Sequence, residues 1–299
     1  MLTTVQDLGR WGHQGSGVPV AGPMDAYSHR LANRLAGNPA DAAALEITLL
    51  GPTLDAQADV VCAVAGAEFA LRVDAEPMPM HAPFLLRGGA RLQFGARARG
   101  ARATLAIQGG IAVPAEFGSR ATSMISRIGP FGGRPLAAGD LLPIGELPAR
   151  EGVARPAPLV PMPAGGARLR VIPGPHEDMF TGRALETLLT SRYTVTPQSN
   201  RMGYRLEGPP LAHARGADIL SEATPIGSLQ VPASGLPILL MADRQTTGGY
   251  AKIATVITAD LPLAGQLAPG DWIEFALCSR EDAIDVLRKH EARLTAIGA

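Results

Sequence analysis

An apolar run, Leu236-Pro-Ile-Leu-Leu-Met-Ala242, breaks off into Asp243-Arg244-Gln245-Thr246-Thr247-Gly248-Gly249-Tyr250-Ala251-Lys252, a dense series of hydrogen-bonding side chains. Ile238-Leu239-Leu240-Met241 reads as a buried strand, and a loop held by such a strand can keep Asp243, Arg244, Gln245 and Thr247 in fixed geometry. Gly248-Gly249 permits backbone angles or a close approach that other residues forbid. The same residues also suit a tight turn in which Asp243 and Arg244 pair with each other and the threonines satisfy turn amides. Both readings stand at this point.

Three further polar clusters could complete a site. Thr3-Thr-Val-Gln-Asp-Leu-Gly-Arg10 leads into a glycine-rich stretch, and Met24-Asp25 opens a helix that Asp25 is suited to cap. Gln198-Ser-Asn-Arg-Met-Gly-Tyr-Arg205 mixes amide, hydroxyl and guanidinium groups. Such groups fit a planar amide or a carboxylate, because arginine offers a carboxylate two parallel donors. Turn chemistry explains each cluster equally well. His176-Glu177-Asp178 could ligate a metal, but a short polar cluster leading into a helix more often caps it, so no metal is assigned.

Other chemistries are missing. The chain contains no Gly-x4-Gly-Lys-Ser/Thr, no Gly-x-Ser-x-Gly, no His-Glu-x-x-His and no Cys-x-x-Cys. Its formal net charge is zero, so no long-range field favours nucleic acid or an anionic membrane. The only lysines are Lys252 and Lys289 among 27 basic residues, which makes Lys252, at the end of the polar loop, conspicuous. Cys62 and Cys278 lie far apart in apolar runs and are expected to be buried free thiols in a reducing compartment. With no signal-like N-terminus and no long uncharged apolar stretch, the expected location is the cytoplasm.

Positioning these residues falls mainly to strands. A length of 299 residues allows two domains or one large β structure; 35 Gly, 26 Pro and 4% aromatic content point to many turns and short strands. Helices are expected at 24–36, stopped by Gly37-Asn38-Pro39, at 42–46, at 178–191 and at 281–294, with Ser279 as the last one's N-cap. Between 48 and 145 the apolar runs 60–64, 84–86, 91–94, 103–107 and 141–142 read as strands, and 168–172 as another. The Pro/Ala/Gly-rich segment 151–166 reads as a linker between domains at 1–150 and 167–299. Leu50-Gly-Pro-Thr-Leu54 is echoed by Glu207-Gly-Pro-Pro-Leu211, and Gly88–Phe94 by Pro269–Phe275, which suggests two related β halves.

Several motifs in order carry a resemblance to a known family. They are Thr3–Arg10, Gly17-Val-Pro with Gly22-Pro-Met-Asp25, Ser28 and Arg30–Asn33, then Gly109-Gly110, Gly118-Ser-Arg120, Ser199–Leu206, Gln230-Val-Pro232 and Asp243–Tyr250. Together they resemble the biotin-dependent carboxyltransferase-like proteins, also called the allophanate hydrolase subunit 2 family. That family includes the C subunit of the ATP-dependent 5-oxoprolinase, KipA, and the carboxyltransferase region of urea carboxylase.

The resemblance implies a mainly β chain with a few helices, built as two cyclophilin-like β-barrel domains. It also implies one component of a complex that hydrolyses 5-oxo-L-proline to L-glutamate with ATP, alongside KipI-like and LamB/YcsF-like subunits. No cofactor is expected on this chain alone, ATP being used on another component. Carboxyl transfer in a urea carboxylase/allophanate system and KipA-type regulation are the alternatives. Family members usually carry a further first strand before the Thr-Thr-Val-Gln-Asp motif.

Within that frame Asp243, Arg244 and Lys252 are the catalytic candidates. Ser199, Arg201, Tyr204, Gln230, Gln245, Thr247, Gly248 and Tyr250 are the substrate-binding candidates. Arg201 or Arg244 would hold a carboxylate or phosphate, Asp243 and Gln245 would contact the ring amide, and Tyr250 and Lys252 would stabilise developing charge.

Overall fold

Alternation of apolar and polar residues and the Gly/Pro punctuation produce sixteen strands and five helices in the computed structural model, which describes residues 2–146, 157 and 161–297. Most of the expected linker, 151–166, lies outside these residues. The mainly β fold with a few helices is as expected. The chain divides into two compact units. The first comprises 1–11, 21–162 and 291–299, and the second 12–20 and 163–290, so two short segments group with the opposite half from the one that sequence order suggests.

The first unit is a seven-stranded sheet. Its strands are β1 (Leu2–Gln6), β2 (Ala44–Thr48), β3 (Thr53–Asp55), β4 (Val60–Val73), β5 (Glu76–Met78), β6 (Pro83–Leu86) and β7 (Arg91–Ile107). The order is β1-β2-β7-β4-β5, with β3 on β7 and β6 on β4, all antiparallel, and among the described residues this ladder does not close. The runs 91–94 and 103–107 are thus one strand rather than two. The register of β4 on β7 shifts beyond Gly66, where Gly66 and Gly100 hold positive φ and let the long pair bend.

The helix expected at 42–46 is β2 instead. Ala, Leu and Glu favour a helix locally, but Leu45 is paired on both edges, with Val5 and Leu105, and that pairing outweighs a propensity of a few tenths of a kcal/mol. Residues 141–142 form no strand. Helix α1 (Ala26–Leu35) begins at Asp25, whose side chain accepts from Ser28 N, and buries Leu31 and Leu35. It packs on Ala44, Ala63, Ala65 and Ala106, whose small side chains allow close approach. A short turn, α2 (Pro130–Gly133), has non-helical angles at Phe131 and Gly132.

The second unit is a closed barrel. Strands β8 (Gly166–Pro173), β9 (Arg192–Val195), β10 (Gly203–Glu207), β12 (Ser228–Gln230), β13 (Ile238–Leu240), β15 (Lys252–Val256) and β16 (Trp272–Leu277) run β10-β13-β12-β15-β8-β16-β9 around it. Strands β11 (Asp218–Ala223) and β14 (Thr247–Tyr250) form a separate two-stranded ribbon. Leu169, Val171, Tyr193, Leu229, Leu239, Ile253 and Phe275 are buried inside this unit.

The helices here are α3 (Gly182–Thr190), α4 (Leu261–Gly265) and the first part, to residue 290, of α5 (Arg280–Ala296), and α5 is capped by Ser279, whose hydroxyl accepts from Asp282 N. Helix α3 is shorter than 178–191 because 177–179 form a 3-10 turn and Phe180 bridges His213. The echoed segments at 88–94 and 269–275 each place a positive-φ glycine, Gly89 or Gly270, in the turn entering a strand. Cys62 is buried as expected, which pushes its thiol up to about 12, whereas Cys278 is only partly buried beyond the end of β16. No helix among the described residues is long and apolar enough to cross a membrane.

Candidate functional site

Buried strand β13 delivers the loop that follows it onto the turn 199–202. Met241 N donates to the Met202 carbonyl at 2.9 Å and Asp243 N to the Arg201 carbonyl at 2.8 Å. The side chains repeat the union. Arg201 Nε meets Asp243 Oδ2 at 2.9 Å and its Nη2 meets Oδ1 at 3.1 Å, with the two side chains 4% and 1% exposed. This bidentate pair excludes the turn in which Asp243 joins Arg244. Arg201 thus holds Asp243, and each Asp243 oxygen accepts from it. A buried, fully matched ion pair sets the geometry of the loop.

Arg244 differs. It is buried, its Nε donates to the Thr224 carbonyl at 2.6 Å, and it has no carboxylate partner among the described residues. Burial lowers its pKa from the ordinary arginine value. Thr224 in turn donates its hydroxyl to the Gln245 carbonyl. Gln245 Nε2 donates to Gln230 Oε1 at 3.1 Å, and Gln230 is 2% exposed with no partner for its own Nε2 among the described residues.

Gly248 closes the group. A Cβ there would lie 2.7 Å from Gln230 Nε2, 3.0 Å from Thr224 Cγ2 and 3.2 Å from Gln245 Nε2, so only glycine lets the two amides sit against this strand. Arg244, Gln245, Gln230 and Gly248 therefore meet around Thr224. The sequence offered no sign of Thr224, an isolated threonine at the end of a polar strand.

Lys252, at the start of β15, is 1% exposed, and its Nζ lies 2.6 Å from Glu222 Oε1 on β11, a carboxylate whose side chain is 45% exposed. His176 Nε2 is 3.5 Å from the same oxygen, and His176 Nδ1 accepts from Lys252 N at 3.3 Å. The Lys252 ammonium, with His176 behind it, holds the Glu222 carboxyl below its ordinary range. Among the described residues no three His, Cys, Asp or Glu side chains are grouped to hold a metal, and His176 belongs to this charged cluster.

Replacing Glu222 by Gln removes the charge facing a nearly inaccessible ammonium. Because Glu222 is half open to solvent, the expected loss is about 1–2 kcal/mol rather than the larger cost of a fully buried pair. A fall in the urea midpoint at unchanged slope would show it; an unaltered midpoint would mean the pair is energetically idle.

The remaining candidates separate by burial. Tyr204 is buried on β10 and donates its hydroxyl to the Leu267 carbonyl at 3.2 Å, within the barrel's interior. Ser199 closes the turn before β10, accepting from Arg205 N at 3.0 Å and donating to the Arg205 carbonyl at 3.3 Å. Thr247 and Tyr250 are exposed on β14. The clusters at Thr3–Arg10 and Met24-Asp25 lie in the first unit. There Asp7 accepts from Gly9 N, Ser119 Oγ and Arg120 N, and Arg10 donates to the Ala121 carbonyl.

Comparison with known proteins agrees with this fold. The family described as carboxyltransferase domain, subdomain A and B, matches residues 16–277. The chain is 40% identical to the C subunit of Escherichia coli 5-oxoprolinase, over 95% of this chain and 91% of that one. It is 36% identical to the C subunit of Haemophilus influenzae 5-oxoprolinase, over 98% and 94%. Urea amidolyase of Lachancea kluyveri is 35% identical over 98% of this chain but only 17% of its own length.

Among solved structures, the Kluyveromyces lactis urea amidolyase superimposes with a TM-score of 0.93 at 33% identity, over 99% of this chain and 19% of that one. TTHA0988 gives 0.84 at 42% identity, over 92% of this chain and about half, 53%, of that one. With both subdomains matched from residue 16 to 277 and relatives aligned nearly end to end, the chain belongs to the carboxyltransferase subdomain A and B family.

Proposed function

We propose that this chain is the C subunit of an ATP-dependent 5-oxoprolinase, a hydrolase complex that opens the cyclic amide 5-oxo-L-proline to L-glutamate. The observation that carries this reading is the near end-to-end match to two bacterial proteins of that name, at 40% and 36% identity, with neither chain leaving a large part unmatched. The expected partners are a KipI-like protein and a LamB/YcsF-like protein, with ATP held outside this chain.

The chemistry asks for what the second unit offers. A lactam resists water because its nitrogen lone pair is delocalised into the carbonyl. Transfer of a phosphoryl group from ATP to the lactam oxygen, releasing ADP, makes the ring carbon electrophilic; water then adds, the C–N bond breaks as the nitrogen takes a proton, and a second water hydrolyses the resulting acyl phosphate to the carboxylate and inorganic phosphate. A buried cation free of a carboxylate partner, Arg244, suits an anionic substrate, and the amides of Gln230 and Gln245 suit a planar one. Asp243 supports these groups through Arg201, and Lys252 with Glu222 adds a fixed charge pair where the polar segment ends.

The deciding experiment reconstitutes this chain with its KipI-like and LamB/YcsF-like partners, and measures 5-oxoproline-dependent ATP hydrolysis together with glutamate formation. Both should depend on this chain; equal rates without it would refute the reading. Carboxyl transfer from carboxybiotin to a urea-like acceptor is the second reading, favoured by the TM-score of 0.93 to a urea amidolyase. Activity that appears only with a biotin carboxylase and biotin carrier would select it.

A further inference from the structure

We propose that Arg244, Gln230 and Gln245 form a cationic subsite for a small carboxylate ligand, one that accepts the lactam acid and disfavours the zwitterionic amino acid formed from it. The identity of the ligand rests on the 5-oxoprolinase reading; the subsite itself rests on geometry.

Two independent observations point to a ligand-binding role. Arg244 is a buried guanidinium whose side-chain partner among the described residues is a neutral carbonyl, that of Thr224. Buried arginines are ordinarily matched by carboxylates, because an unmatched charge loses its hydration without return. Gln230, 2% exposed, leaves its Nε2 without a partner among the described residues, although a buried donor left empty is a net loss to the fold. Both lie around Thr224 and Gly248. A ligand oxygen would answer each of them.

The character of the subsite follows from its one formal charge. The Thr224 carbonyl accepts from Arg244, the Gln245 carbonyl accepts from Thr224, and Gln230 Oε1 accepts from Gln245 Nε2, so the guanidinium is the only charge in the group. Further N–H groups of Arg244 and Gln230 are left to bind a ligand oxygen. A carboxylate is drawn to that charge, and a lactam oxygen accepts from the amide. An ammonium meets the guanidinium charge, with no carboxylate in this group to offset it. Ring opening converts the neutral lactam nitrogen into an ammonium, so product would bind less well than substrate, and release follows from the reaction.

Calorimetric titration of the full chain, alone and assembled with its partner proteins, tests this with 5-oxo-L-proline, 2-pyrrolidinone, L-proline, L-glutamate and glutarate. The expected order is 5-oxo-L-proline and glutarate binding at least about tenfold more tightly than the other three, since a charge-assisted bond lost to an unmatched donor is worth roughly that much or more. Arg244→Gln should weaken both tight ligands by about 10–100-fold. Gln230→Glu, which turns the free donor into an acceptor, should weaken them as well. It serves as the second probe if Arg244→Gln does not fold.

Binding of 2-pyrrolidinone or L-glutamate as tight as that of 5-oxo-L-proline would overturn the proposal. So would affinity unchanged by both substitutions, or no Arg244-dependent binding of either acid in either setting. Arg244-dependent binding of glutarate without binding of 5-oxo-L-proline would uphold the subsite and remove the 5-oxoprolinase reading.

Discussion

Asp243→Ala is expected to destabilise the second unit by about 3–5 kcal/mol, the range for removing one partner of a buried ion pair. The substitution strands the Arg201 guanidinium, which is 4% exposed and donates through both Nε and Nη2 to the lost carboxylate. Arg201→Ala should cost a similar amount by leaving the Asp243 carboxylate unmatched. Replacing both by apolar residues of similar volume, Asp243→Leu with Arg201→Met, should recover much of the loss, because neither charge is then buried alone.

The two alanine variants and the Asp243→Ala/Arg201→Ala double close a thermodynamic cycle in urea, and a coupling energy near zero would contradict a matched pair. The result also separates structure from chemistry. Asp243→Ala in a reconstituted complex should lose activity together with folded protein. Retained stability with abolished turnover would instead return Asp243 to the reaction.

A loss of roughly 3 kcal/mol is expected in the first unit on acidification, from one side chain. His29 is wholly buried, and burial lowers its pKa from 6.5 to about 4, the nearby Asp7 charge opposing the shift. Its surroundings require the neutral ring. Asn33 Nδ2 lies 3.1 Å from His29 Nε2, and the orientation of that amide is set by its bond to the Ala42 carbonyl and by Asn38 Nδ2 donating to Asn33 Oδ1. The amide therefore donates to Nε2, and a proton there would oppose it.

The sign follows from linkage. Above pH 6.5 the ring is neutral in both folded and unfolded chains and contributes no pH dependence. Between 6.5 and about 4 the unfolded chain binds a proton that the folded one refuses, so stability falls as pH falls, levelling off below about 4. A gap of about 2.5 pKa units at 1.36 kcal/mol each gives the magnitude. His29→Gln, which keeps an acceptor for Asn33, should flatten the stability profile over that window. A wild-type profile already flat from pH 6.5 to 4 would show that His29 titrates normally.

How much of this was legible beforehand divides along physical lines. Helix α1 was readable from Leu31 and Leu35 four apart and from a stop signal at Gly37-Asn38-Pro39, because capping and amphipathic spacing act over a few residues. Strand β13 and the polar loop after it were readable for the same local reason. The stretch 42–46 misled, since its helical residues are claimed by strands on both sides whose positions lie 40 and 60 residues away in the chain. Arg201 and Asp243 were both singled out, yet as separate ligand groups. Nothing in either motif states that the two close on each other across 42 residues.

From the sequence alone came the family, the mainly β architecture and the two polar motifs of the second unit, because these are carried by residue types in fixed local order. Only the tertiary structure decided which groups in those motifs remain available. It joined Asp243 to Arg201 and Lys252 to Glu222, and among the described residues left Arg244 without a carboxylate and Gln230 Nε2 without a partner around Thr224. Availability of a charge or a donor depends on its burial and on partners brought in from distant strands, and these follow from barrel closure rather than from local order.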